Sequence, residues 1–375
     1  MRITCVMGPF LPVPPLLGGA VEKIWQNLCR EFAESGHDVI QISRRFPGLP
    51  EREKIDGVVH IRIPSVDAPP SVFLYRAMDV LYAIRARGAI SKSDVTITNS
   101  VSLPLLLPRG RAGKVVVSVA RFPKGQMGFY RSVDRLQAVS QPVAAAIKAQ
   151  SPRLAHLVRV IPNCLSNPFL VVPAASTRNR RREILFVGRI AREKGIELLL
   201  EAFLGLRHCE NWCLTILGPS DARTGGDGAA YKRGLLLRAA NSGGRIAFEE
   251  PIFDEAAMAN RMREAGIFVY PSIAEDGESF GMAPLEAMAC GCATLVSDLE
   301  CFRDFVEDGK NALVFDHRDL TGSSLARSLQ RLASNDELRV SLGLEGQTAA
   351  ARFSPSVVAK LFLEDFDELL PSNSI

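Results

Sequence analysis

EDGESFGMAPLEAMACG, residues Glu275–Gly291, follows the apolar run Ile267–Tyr270 and its closing Pro271-Ser272. A short apolar run that stops at a proline reads as a buried strand. Gly281 with Pro284 shortly after it reads as a helix start, because a proline in the first turn gives up an N–H that has no intrahelical acceptor. Strand, loop and helix in that order recur along the whole chain. Further strands are expected at Arg2–Gly8, Asp38–Arg44, Val95–Asn99, Lys114–Ala120, Leu136–Ser140 and Val158–Pro162 in the first half. In the second half they are expected at Glu183–Gly188, Cys213–Gly218, Arg245–Phe248, Ala293–Ser297 and Ala312–Phe315. Stretches between them, such as Ala20–Ser35, repeat apolar residues at helical spacing. Such alternation implies an α/β fold of doubly wound parallel sheets joined by crossover helices.

A chain of 375 residues that is 47% hydrophobic can fill more than one core. Residues 172–182, VPAASTRNRRR, are polar and basic with no apolar period, which reads as a linker. The expected organisation is a Rossmann-like domain over 1–170, a linker over 171–182, a second Rossmann-like domain over 183–354 and an amphipathic helix within 355–375. In that helix Val358, Leu361, Phe362 and Phe366 recur at helical spacing.

The eight cysteines are scattered, with no CxxC pair and no histidine at ligand spacing, so neither a zinc site nor a disulfide framework is suggested. They read as reduced thiols of a cytoplasmic protein. The uncharged stretch Ile3–Val21 is interrupted by Pro9, Pro12, Pro14 and Pro15, and reads as a buried strand followed by a proline-rich loop; a signal peptide is the alternative. Residues 1–170 hold 22 lysines and arginines against 11 acidic residues, a net +11, whereas the remainder carries −7. A basic half attracts anionic substrates or an anionic membrane surface, although a solvated charged surface without a partner has the same composition.

Three clusters carry the chemistry. Free N–H groups at the helix start, on Met282 and Ala283 beside Gly281 and Phe280, form an anion site suited to phosphate. Glu278 and Glu286 flank it. Eight residues of regular helix rise about 12 Å, beyond the roughly 5–9.5 Å at which two carboxylates grip one glycosidic bond. The pair suits the two ends of an elongated ligand such as a nucleotide-sugar, with a solvated loop carboxylate and a helix cap as the plainer alternative. The second cluster, Arg189 and Lys194, lies at the end of the strand Glu183–Gly188, where two cations would neutralise a departing diphosphate; solvated charge is the alternative. The third is Gly18-Gly19 before the helix at Ala20, a phosphate cradle or simply a flexible turn.

Taken together and in this order, these segments resemble the GT-B fold glycosyltransferases of family 4, a group of retaining enzymes. The likeness is strongest over Glu183–Phe315 and faint between residues 46 and 110. The family's EX7E motif corresponds to Glu278 and Glu286, its diphosphate ligands to Arg189 and Lys194, and its double glycine to Gly18-Gly19. The resemblance implies two Rossmann-like domains facing each other across a cleft, with the final helix crossing back to the first domain. It further implies Glu278 on the donor sugar, Glu286 on the ribose, no metal or other cofactor, and retention of configuration. The implied donor is a uridine or guanosine diphosphate sugar, and the implied acceptor a saccharide or lipid-linked molecule of bacterial-type polysaccharide, lipopolysaccharide or glycolipid synthesis; no nucleic-acid partner is expected. A nucleotide-sugar epimerase of the same fold and an inactive sugar-nucleotide-binding protein are the alternatives. One departure stands out: the family's histidine is missing after the strand that includes Val115–Val119, where the chain reads Ser118–Gly125. Arg121 and Lys124 there are expected to face an anionic acceptor.

Overall fold

The computed structural model describes residues 1–69, 71–107, 110–171 and 180–371. They divide into two units, Met1–Cys164 with Pro355–Ile375, and Leu165–Ser354. The first unit is built on eight strands: β1 (Arg2–Val6), β2 (Asp38–Arg44), β3 (Arg52–Ile55), β4 (Val58–Ile63), β5 (Val95–Thr98), β6 (Lys114–Val119), β7 (Arg135–Ala138) and β8 (Val158–Val160). Their order is β3-β4-β2-β1-β5-β6-β7-β8. Every pairing is parallel except β3 with β4, an antiparallel edge hairpin in register Arg52↔Ile61. This hairpin and the helix Val72–Ala89 fall where no element is expected.

Buried arginines connect the hairpin region to the proline-rich loop after β1. The Arg44 guanidinium donates to the Phe10 carbonyl at 2.7 Å, and Arg62 donates to Val13 at 3.1 Å and to Pro50 at 2.7 Å. Arg62 is fully buried and ion-paired with Glu53 at 2.5 Å. The final helix, Pro355–Leu369, also belongs to this unit. Phe362 packs on Trp25 and Phe32, with centroids 5.3 and 6.2 Å apart, and Phe366 packs on Phe32. Between them the buried Asp365 accepts from Arg135 and Arg159. Leu361, expected on the same apolar face, points outward.

The second unit holds six strands, β9 (Arg181–Val187), β10 (Cys213–Leu217), β11 (Ile246–Glu249), β12 (Ala265–Tyr270), β13 (Ala293–Ser297) and β14 (Leu313–Phe315). All are parallel, in the order β11-β10-β9-β12-β13-β14. Leu165–Leu170 lie in this unit rather than in the first. Phe169 is buried, and Ser166 donates to Glu255 at 2.9 Å, so these residues are anchored before the linker begins. Most of the expected linker, residues 172–179, lies outside the described residues, and Arg181 already opens β9. In each sheet the order reverses direction beside its first strand, between β1 and β5 and between β9 and β12. Doubly wound sheets bind ligands beyond the carboxyl ends of the strands at such a switch point.

Candidate functional site

In the second unit the chain leaving β9 runs directly against the chain leaving β12. Gly195 has φ 65°, and a Cβ there would lie 2.0 Å from the Pro271 carbonyl oxygen, so only glycine permits the approach. Two hydrogen bonds fasten the loops together: Ile273 N–H and the Ser272 hydroxyl both donate to the Glu193 carbonyl, at 2.8 and 3.3 Å. This places Lys194 and Glu278, 84 residues apart in sequence, in an ion pair of 2.6 Å. The two side chains are only 6% and 12% exposed, so water screens the pair weakly.

Tyr270, the last residue of β12, completes the cluster. Its hydroxyl donates to Glu278 Oε2 at 3.2 Å, and the Lys194 ammonium sits 5.2 Å from its ring centroid. Burial, and then the Glu278 carboxylate, hold the phenol well above its usual value, so Tyr270 remains a hydrogen-bond donor at working pH. Arg189 is half exposed at the same strand end. Its Nη1 donates to the Gly225 carbonyl at 2.5 Å and its Nη2 pairs with Glu193 at 2.7 Å. The two cations expected at this strand end thus have different settings: Lys194 is enclosed and Arg189 is open to solvent.

The helix after β12 spans Met282–Ala289, with Gly281 as its N-cap at φ 88°. A Cβ on Gly281 would come within 2.3 Å of the Phe302 ring, so glycine lets the helix start close on the core. Met282 and Ala283 are its first two residues, whose N–H groups have no intrahelical acceptor. Glu278 precedes the helix, so a continuous helical rise between the two glutamates does not apply; only Glu286, half-buried in the second turn, is helical. Phe280 is expected among the donor-binding residues, but its ring is buried against Phe305 and Phe353, with centroids 5.5 and 6.0 Å away, so its side chain belongs to the core.

The remaining expected residues lie in the first unit. Gly18 and Gly19 have φ 77° and 109° and precede the helix Ala20–Glu34. A Cβ on Gly19 would sit 2.4 Å from the Glu22 carboxylate, which rests on this turn. Glu22 is buried, and burial raises its carboxyl pKa while Arg121 pulls it down. Arg121 and Lys124 follow β6, and both are exposed. Sequence reasoning missed Tyr270, Glu193 and Glu22. Tyr270 was visible as the polar end of an apolar strand, and Glu22 as an acid in the first turn after the double glycine.

Residues 173–348 match the family model described as Glycosyl transferases group 1. A phosphatidyl-myo-inositol mannosyltransferase of Mycobacterium leprae is 32% identical over 195 residues, 52% of this chain and 48% of the relative. The chain thus spans about half the length of such curated mannosyltransferase relatives. Among solved structures, sucrose-phosphate synthase from Thermosynechococcus elongatus has a TM-score of 0.78 at 23% identity, covering 98% of this chain and 99% of that one. The Anabaena protein HepE, in complex with UDP and glucose, has a TM-score of 0.74 at 14% identity, covering 98% and 100%. Two doubly wound sheets and these structural matches agree: the chain has the GT-B fold, and its residues 173–348 are similar to the glycosyl transferases group 1 family.

Proposed function

We propose that the protein transfers a hexose-type sugar from a uridine or guanosine diphosphate sugar to a saccharide or lipid-linked acceptor, with retention of configuration. The observation that carries this reading is the Lys194–Glu278–Tyr270 cluster at the β9–β12 switch point, beside Arg189 and the helix start at Gly281. A diphosphate placed there meets one enclosed ammonium, one open guanidinium and the N–H groups of a helix N-terminus. These groups stabilise charge that builds on the leaving phosphate, the task a divalent ion performs in other enzymes, and the proposal assigns no metal or other cofactor. Glu278 accepts hydrogen bonds from the sugar hydroxyls and Glu286 from the ribose. Donor binding exchanges the Lys194–Glu278 pair for one contact to phosphate and one to sugar, while Tyr270 keeps Glu278 oriented.

In a retaining reaction without a protein nucleophile, the acceptor attacks the face from which phosphate leaves, and a phosphate oxygen takes the acceptor proton. Electrostatic stabilisation of the leaving group is then the protein's principal contribution. In the first unit, Gly18-Gly19 is assigned to a donor phosphate, and Arg121 and Lys124 to an anionic acceptor. Two comparisons support the reading: one relative is named for mannosyl transfer to phosphatidyl-myo-inositol, and one structural neighbour holds UDP and glucose.

The test is thermal stabilisation by a panel of uridine and guanosine diphosphate sugars, for wild type and Glu286→Ala. A donor that binds only the folded state stabilises it by about 2.7 kcal/mol at a hundredfold excess over its dissociation constant. A rise with one donor that is lost in Glu286→Ala supports the assignment; no rise with any donor overturns it. Release of nucleotide that requires an added acceptor separates transfer from epimerisation.

A further inference from the structure

We infer that the helix Val72–Ala89 docks the protein on an anionic lipid surface, lying in the plane of the membrane. One side of this helix belongs to the first unit's core. Tyr82, Ala83 and Ala86 are buried there with Val6, Ile42 and Leu103. Asp79, the helix's only acidic residue, is buried as well and accepts from the Ser100 hydroxyl at 2.9 Å and from Ser102 N–H at 2.8 Å. A helix seated in this way ordinarily turns polar residues outward. This one does not. Phe73, Ala77, Val80, Leu81 and Ile84 follow helical spacing along the side away from the core, and Phe73 is 80% exposed.

Among the described residues, seven of the 22 exposed large hydrophobic side chains lie on this single 18-residue helix, so they form a patch rather than a scatter. The helix Leu103–Leu106 packs beside it and exposes Leu105.

The charges identify the occupant. Arg76 and Arg87 border the apolar stripe on one side and Arg85 borders it on the other, all three exposed, and no carboxylate stands on the outward side of the helix. A second copy presenting the same face offers these arginines no acid to pair with. An anionic bilayer offers both partners at once, acyl chains for the stripe and phosphates for its borders. The helix cannot span: no helix among the described residues is long and apolar enough to cross a membrane, and this one carries Arg76, Asp79, Arg85 and Arg87.

The experiment is co-sedimentation of the full chain with vesicles of phosphatidylglycerol and phosphatidylcholine, against phosphatidylcholine alone. Wild type is expected to sediment with the anionic vesicles only, and to be released by salt. Arg76→Gln/Arg87→Gln is expected to bind about 25-fold more weakly, about fivefold for each cation. Phe73→Ser/Leu81→Ser/Ile84→Ser is expected to lose binding, whereas Phe73→Trp keeps it and its emission shifts to the blue on adding vesicles. Wild type that stays in solution, or a triple-serine variant that sediments like wild type, overturns the inference. So does a lipid-free dimer, seen by sedimentation equilibrium, that the triple-serine variant abolishes, because the face would then belong to a second copy. Stabilisation by a sugar nucleotide is measured without lipid, so failure here and failure of the donor assignment are distinguishable.

Discussion

The two units share one plan, a doubly wound sheet with a switch point beside its first strand, but they are held together differently. In the second unit all six strands are parallel, and four of them, β9, β10, β12 and β13, have cores of consecutive buried residues. In the first unit the sheet gains an antiparallel edge, and charged groups are buried within its frame: Arg44 and Arg62 bind the loop after β1, Asp365 ties the final helix to β7 and β8, and Asp79 ties the helix Val72–Ala89 to the loop after β5. The second unit buries one ion pair against its sheet, Glu183 with Arg261, and a second at its switch point, Lys194 with Glu278. The contrast teaches that buried charge can join scaffold segments, as it does in both units, or stand at the switch point, as Lys194 and Glu278 do, and that the consequences of mutation follow that placement.

The largest expected effect is in the scaffold of the first unit. Arg62→Ala leaves Glu53 and two backbone carbonyls without their buried partner and is expected to cost about 3–5 kcal/mol, read as a lower urea midpoint. The contrast fails if donor-dependent stabilisation disappears while the midpoint stays put. Next, Lys194→Ala is expected to lower kcat by about 10²–10³-fold, the usual cost of removing one preorganised charge-stabilising group. Unchanged turnover would move the role of Lys194 from the reaction to the scaffold.

A smaller effect is expected from Gly281→Ala, which forces an L-residue into a left-handed backbone at about 1–2 kcal/mol and drives a methyl into Phe302. Donor affinity should fall with it, because the helix start must shift; calorimetric titration of the nucleotide checks this. The smallest is a pH effect that separates the units. Burial, and then Arg62, depress the His60 pKa below its ordinary value of 6.5, so the folded protein binds fewer protons than the unfolded chain just below that pH. The contribution is complete above pH 6.5 and is lost as pH falls below it, and His60→Gln should flatten this decline in urea titrations. Glu183 in the second unit behaves differently. Burial raises its pKa, but hydrogen bonds from Arg261 and Thr215 outweigh burial and hold it below 4.5, so its contribution is lost only as pH falls below 4.5.

The strands were legible because each central strand of a parallel sheet is buried on both faces and reads as an apolar run between helical stretches. The edge hairpin was not, since β3 reads Arg52-Glu53-Lys54-Ile55 and is mostly exposed. Its one signal was Asp56-Gly57, which takes the positive φ values of a tight hairpin turn, 48° and 81°. The helix Val72–Ala89 escaped for the opposite reason: with apolar residues facing both core and solvent, it shows no amphipathic period. Arg189, Lys194, Glu278 and Glu286 were candidates by residue type, spacing and resemblance; that Lys194 pairs with Glu278 and that the Phe280 ring is buried were not legible.

The parallel strands, their alternation with helices and the two Rossmann-like halves were determined by the sequence alone, because they depend on local periodicity and on residues close together in the chain. The tertiary structure decided that Lys194 meets Glu278 and Tyr270, that the first unit begins its second segment at Pro355, and that Phe73 faces outward while Phe280 faces inward. Each of these depends on which surfaces distant segments cover, and an apolar side chain carries no local mark of whether something will cover it.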